Sequence, residues 1–110
     1  MLRVYIAGPY TNGDVAANGR KAIDAADSIV SLGHEVFLPH LSHFWHLIHP
    51  HEWRFWIQRD LAWLKFCDVL LRLPGESEGG ELEEAEARKL GLRICHDIIE
   101  LKIPQADEDG

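Results

Sequence analysis

Two acidic residues sit where the surrounding pattern calls for apolar ones. In "WIQRDLAWLKF", residues 56 to 66, the neighbours of Asp60 read as the buried side of a helix. At roughly 100° per residue, Trp53, Trp56, Ile57, Leu64 and Cys67 share one side, with Leu61 and Trp63 at its edges. Arg54, Gln58 and Lys65 take the other side, and Asp60 falls near the centre of the apolar one. A buried, unpaired carboxylate is costly and tends to hold a proton. Asp60 therefore lines a pocket, pairs with a buried arginine or caps a loop, or the helix breaks before it. The second acid is in "SEGGELEEAEARKLG". There Leu82, Ala87 and Leu90 are expected to mark the packed side of a helix, with Glu83 and Glu86 in the same sector. Glu81 and Glu84 lie outside it and suit the positive end of the helix dipole as solvated side chains. Glu83 points inward beside Gly79 and Gly80, whose small size lets a ligand approach the backbone. Two inward carboxyls in different environments can divide glycosidic chemistry. One attacks or stabilises the anomeric carbon, and the other manages the proton of the leaving group.

These acids need a scaffold that brings two helices together. "LRVYIAGP" reads as a buried first strand, and "YTNGD" as a turn in which Asn12 or Asp14 caps the next helix. Ala22, Ala26, Ile29 and Val30 recur at helical spacing between Val15 and Leu32, and Gly33 suits the helix end. "HEVFLP" is a second strand and "HLSHFWHLIHPHEW" an irregular or partly helical stretch broken by Pro50. A helix from Glu52 to Phe66, a strand in "CDVLLRLP", a loop "GESEGG", a helix "ELEEAEARKL" closed by Gly91 and a strand in "LRICHDI" complete the order. This alternation predicts a three-layer α/β fold of flavodoxin or Rossmann type, with four or five parallel strands and helices on both faces. Ligands in such folds bind beyond the carboxyl ends of the strands. The loops meeting there supply Gly8, Pro9 and Tyr10 from "GPYTNGD", the His-rich stretch, and Gly79 and Gly80 from "PGESEGGE".

The 110 residues suit one domain, expected over 1–103, with an acidic, disordered tail over 104–110. With 46% apolar residues the chain can bury a core without disulfides. Its two cysteines, Cys67 and Cys95, lie in apolar runs and read as reduced core residues, which suits the cytoplasm. No apolar run spans a membrane, and the N-terminus lacks a signal-peptide pattern. Eighteen acids against eleven Lys and Arg give a formal charge of −7 and no basic stripe, which argues against nucleic acid as a partner.

Four blocks, "VYIAGPYT", "VFLPHLSHFWHL", "RDLAWLKFCDVLLRLPG" and "SEGGELEEAEARKLG", together resemble the nucleoside 2-deoxyribosyltransferase-like superfamily over roughly residues 2 to 95. The resemblance implies a Glu83 nucleophile that attacks C1′ of a nucleoside. It also implies that Asp60 assists the base or binds the sugar, and that Tyr5 on the first strand orients the nucleophile. The covalent glycosyl-enzyme then passes the sugar to water or to another base. The implied partner is a small nucleoside or nucleoside 5′-monophosphate, with no cofactor and a homodimer or higher homo-oligomer. In the branch acting on monophosphates, Ser-x-Arg follows the first strand. Here Pro9, Tyr10, Thr11 and Asn12 stand in its place, while Ser77 matches a loop serine that touches phosphate in that branch. The residues themselves leave two other readings open, a non-catalytic nucleotide-binding or sensor module and a metal-dependent hydrolase.

The metal reading comes from His40, His43, His46, His49 and His51, crowded ahead of the Asp60 helix. Their spacing matches no H-E-x-x-H motif, though His43, His46 and Glu52 could form a set. As pocket lining, Phe44 and Trp45 would stack a base while His43 bonds it.

Overall fold

The computed structural model describes residues 1–102, so the tail expected over 104–110 lies outside the described residues. Four strands, β1 (Arg3–Ala7), β2 (Glu35–Phe37), β3 (Val69–Arg72) and β4 (Arg93–Cys95), form one sheet in the order β2-β1-β3-β4. Every pairing is parallel, with Tyr5 opposite Phe37 on one side and Leu70 on the other. Four helices accompany them: α1 (Val15–Ser31), α2 (His43–Ile48), α3 (Trp53–Leu64) and α4 (Glu78–Leu90). Short 3-10 turns cover Pro39–Ser42 and Ile98–Leu101.

The alternation of β1 sets the layers. Val4 and Ile6 join Ala22, Ala25, Ala26 and Ile29 of α1 in one core, with Val69, Leu71 and Leu101. Tyr5 and Ala7 face the other way, into a core with Leu64 of α3, Ala87 of α4 and Leu70. Helices therefore cover both faces, as the alternating pattern predicts, and burial on both sides explains the continuous apolar strands. The buried stripe of α1 contains Ala25 where Val30 was expected, and Val30 is about half exposed. Three alanines in that stripe let the helix lie close to the sheet.

Local signals set the helix ends. Asp14 accepts hydrogen bonds from the backbone N–H groups of Ala16 at 2.9 Å and Ala17 at 3.1 Å. Gly33 and Gly91 follow α1 and α4 with φ of +95° and +80°, a region that favours glycine. Helix α4 starts earlier than the glycine-rich reading suggested. Ser77 is its N-cap, accepting from the Gly80 N–H at 2.9 Å, so Glu78, Gly79 and Gly80 belong to the first helical turn. The packed side of α4 is Gly80, Glu83 and Ala87. Leu82 and Leu90, expected inside, are 43% and 44% exposed. Cys95 is buried and Cys67 only partly so, and both are free thiols. Among the described residues no helix is long and apolar enough to cross a membrane.

The strand order reverses between β1 and β3. The chain leaves β1 through α1 to β2 on one side and returns through α2 and α3 to β3 on the other. The loops after β1 and β3 must diverge there and leave a crevice, the usual ligand position in open parallel sheets.

Candidate active site

That crevice is a cavity of about 550 Å³. Gly8 and Tyr10 form its β1 side, Ser77, Gly79, Gly80 and Glu83 its α4 side, and Trp53, Trp56, Ile57 and Asp60 its α3 wall. The strand loops run tightly together beneath it. Leu73 N–H donates to the Ala7 carbonyl at 2.8 Å, and a Cβ on Gly8 would lie 2.9 Å from Leu73 Cβ. Gly75 has φ of +114°, and a Cβ there would come within 2.7 Å of Pro9 Cγ. Any larger residue at Gly75 would force these two loops apart.

Glu83 is only 5% exposed, one turn into α4 and against the sheet. The fully buried Tyr5 donates its hydroxyl hydrogen bond to Glu83 Oε2. Tyr5 is held in turn by its ring, which stacks on Phe37 at 5.4 Å, while Phe37 stacks on Trp63 at 5.8 Å. Burial is the largest influence on Glu83 and pushes its carboxyl up to about 8. The Tyr5 hydrogen bond and the Arg72 charge pull it down, and Asp60 adds to the rise. Burial also pushes Asp60 up, to about 7, against a smaller opposing pull from Arg59. Tyr5 is driven far above its ordinary range, by burial first and then by the charges of Glu83 and Asp60. It acts here as a hydrogen-bond donor that does not ionise. The two carboxyls thus share one cavity, each favouring its protonated form more than it would in water.

The sequence reading missed Arg72 and misjudged Glu84. Arg72 ends β3 with its guanidinium donating to the Leu73 carbonyl and, at 2.9 Å, to the Gly75 carbonyl. It also lies 3.9 Å from Glu84, whose other oxygen accepts from Arg88 at 2.7 Å. Glu84 is therefore a half-buried, doubly paired residue and not a solvated one. An arginine ending the apolar run "VLLR" was the signal available for Arg72. It braces the loop that leads into α4 and supplies the positive charge near Glu83.

Of the expected ligand residues, Gly8, Tyr10, Ser77, Gly79 and Gly80 line the cavity with Glu83 and Asp60. Pro9, His43 and Trp45 do not. Pro9 packs against Gly75 and accepts a hydrogen bond from His40 Nε2 at 2.9 Å through its carbonyl. His43 Nδ1 is hydrogen-bonded to the Tyr10 hydroxyl on the far side of that ring, where both border a second hollow against α1. Trp45 packs edge-on against Trp56 at 5.3 Å, with the Arg59 guanidinium 4.6 Å from its centroid. The aromatic and histidine lining comes instead from Trp53, Trp56, His40, His46 and His51. Among the described residues no three His, Cys, Asp or Glu side chains are grouped so as to hold a metal ion, so His43, His46 and Glu52 do not form the set considered above.

Fold and site together define a small flavodoxin-like α/β protein with an acid pair at its topological switch point. Residues 2–96 match a family described as a domain of unknown function, DUF4406, and the chain belongs to that family. Among solved structures it is similar to a 2-deoxyribosyltransferase from the psychrotolerant bacterium Bacillus psychrosaccharolyticus, with 23% identity and a TM-score of 0.60. The match covers 92% of this chain and 79% of that one. The fold implied by the superfamily resemblance is therefore the fold observed. No curated protein matches the chain significantly.

Proposed function

We propose that this protein cleaves or transfers the N-glycosidic bond of a nucleoside or nucleoside 5′-monophosphate, with Glu83 as nucleophile. One observation carries the reading: Glu83 and Asp60, both raised by burial, face one cavity at the switch point, with Tyr5 hydrogen-bonded to Glu83. Tyr5 engages Oε2 and leaves Oε1 to form the bond to C1′. The C1′–N bond then breaks with its electron pair going to the base, which takes a proton from the Asp60 carboxyl. Water or a second base attacks C1′, gives its proton to Asp60 and releases Glu83. Trp53 and Trp56 offer flat apolar surface for a base beside these groups.

The cavity lining includes Asp60, Glu78 and Glu83 and, among the described residues, no Lys or Arg. Arg72 is spent on carbonyls and Glu84, and Ser77 already accepts from Gly80 and donates to the Gly8 carbonyl at 3.3 Å. This favours an unphosphorylated nucleoside over a monophosphate. A homodimer or higher homo-oligomer belongs to the same reading, supported by Phe44 and Ile48 of α2, which are 75% and 73% exposed. A cytoplasmic location suits its free thiols.

The test is chromatography of free base released from ribo- and deoxynucleosides and their 5′-monophosphates, with and without an acceptor base. Release that disappears in Glu83→Ala supports the proposal, and exchange only with an acceptor specifies transfer. Full turnover in Glu83→Ala refutes it. Saturable binding with no base release would favour the non-catalytic nucleotide-binding module.

A further inference from the structure

His46 has no part in the chemistry just described, yet its ring lines the same cavity. Its Nδ1 faces the Trp56 indole N–H at 2.8 Å and the His51 backbone N–H at 3.3 Å. Both of those groups can only donate, so Nδ1 must be the acceptor. In the neutral ring the proton then sits on Nε2. His46 makes no other hydrogen bond among the described residues, so that Nε2–H is unspent. The Trp56 ring, crossing His46 at 75°, fixes the imidazole from one side. His51, which supplies the second donor, is itself stacked on Phe55 with centroids 3.8 Å apart. The ring therefore has a fixed tautomer, a fixed orientation and one free donor, held by α2 against the α3 wall that carries Trp56 and Asp60.

We propose that His46 reads the edge of the nucleobase, its Nε2–H donating a hydrogen bond to a ring-nitrogen or carbonyl acceptor on a base packed against Trp53 and Trp56. The inference rests on the N-glycosidic reading of the cavity and adds to it a selectivity rule. Bases presenting an acceptor at that edge are taken, and bases presenting a donor there meet another donor and are rejected. No proton is transferred by His46. Its bond strengthens as electron density builds on the departing base, so it acts on kcat as well as on binding. Trp56 is a positioning residue for this donor because it holds the tautomer.

The test is ¹H–¹⁵N correlation spectroscopy of the histidine rings in the Glu83→Gln protein, with His46 assigned by comparison with His46→Gln. The spectrum should show Nε2 protonated and Nδ1 bare. Adding 2′-deoxyinosine or 2′-deoxyuridine should move the Nε2 signal of His46 together with the Trp56 indole. Trp56→Phe should give a mixture of tautomers and a smaller ligand-induced shift. In the catalytically intact background, His46→Leu should lower kcat/KM on the order of a hundredfold, and His46→Gln, which keeps a donor, should recover part of it. A proton on Nδ1, or bound nucleoside that moves the Trp56 indole and leaves His46 Nε2 unmoved, overturns the inference. If nucleosides lose their base while His46 Nε2 stays put, this inference alone fails. If no nucleoside moves any cavity signal, it falls together with the N-glycosidic reading.

Discussion

Replacing Glu83 with Gln should make the protein more stable at alkaline pH while removing its nucleophile. The Glu83 carboxyl goes from an ordinary value of 4.5 to about 8, mainly through burial. In the window between those values the native state keeps a proton that the unfolded chain has released. Stability from this group is therefore full below the unfolded value and is lost as pH rises toward the folded one. At about 1.4 kcal/mol per pKa unit, the penalty is under about 1 kcal/mol near pH 5 and roughly 4 kcal/mol near pH 8. Gln has nearly the same shape, cannot ionise and can still accept the Tyr5 hydroxyl hydrogen bond. The stability gained by the variant should therefore grow by roughly 3 kcal/mol between those two pH values. For a domain of this size that difference corresponds to more than about 10 °C in Tm. The assay is urea denaturation of both proteins at both pH values and equal protein concentration. Asp60 titrates in both proteins, so its own contribution largely cancels in the difference. A Gln variant whose advantage does not change with pH would refute the claim that burial holds Glu83 protonated. The assay needs no substrate.

Four further outcomes follow from the same geometry. Plotted against pH, kcat/KM should be bell-shaped with a maximum near about pH 7.5, because Glu83 must be ionised and Asp60 protonated. In Asp60→Asn the alkaline limb should disappear, leaving a single ionisation of Glu83, and the rate should fall by about a hundredfold or more. A nucleoside should be preferred over its 5′-monophosphate by about tenfold or more in kcat/KM, since the phosphate would meet Glu78, Asp60 and Glu83 without a facing cation among the described residues. Gly75→Ala should cost about 2 kcal/mol in urea denaturation and weaken ligand binding by displacing Pro9, as its φ is +114° and the new Cβ has no room. An unchanged midpoint for that variant would mean the two loops yield easily.

The sequence by itself determined the layers, most helix ends and the two acids. Strands buried on both faces must be continuously apolar, and helices on such a sheet must carry an apolar stripe. Acids inside those stripes stand out, as Asp60 and Glu83 did. Asp14 and Gly91 also act through bonds and dihedral angles within a few residues, so short-range pattern was enough to place Gly91 and to narrow the α1 cap to Asn12 or Asp14. Tyr5 as the partner of Glu83 came from resemblance and not from pattern, because the two are 78 residues apart and meet only when α4 packs on β1.

Only the tertiary structure decided which side chains of the His-rich stretch face the cavity. Helix α2 has six residues and follows a 3-10 turn, so its rotation is not fixed by any periodicity it could display. A shift of one residue turns a side chain by roughly 100°, enough to exchange His43 and Trp45 for His46. Contacts with Trp56 and Tyr10, made by other elements, set that rotation. Leu82 and Leu90 show the same limit on α4. Apolar residues do stand at a surface, whereas the side facing the sheet was chosen by Gly80, small enough for Arg72 to pass, and by the bond from Tyr5 to Glu83. Periodicity names a helix and its candidate faces, but the distant groups that pack against it select which face is buried.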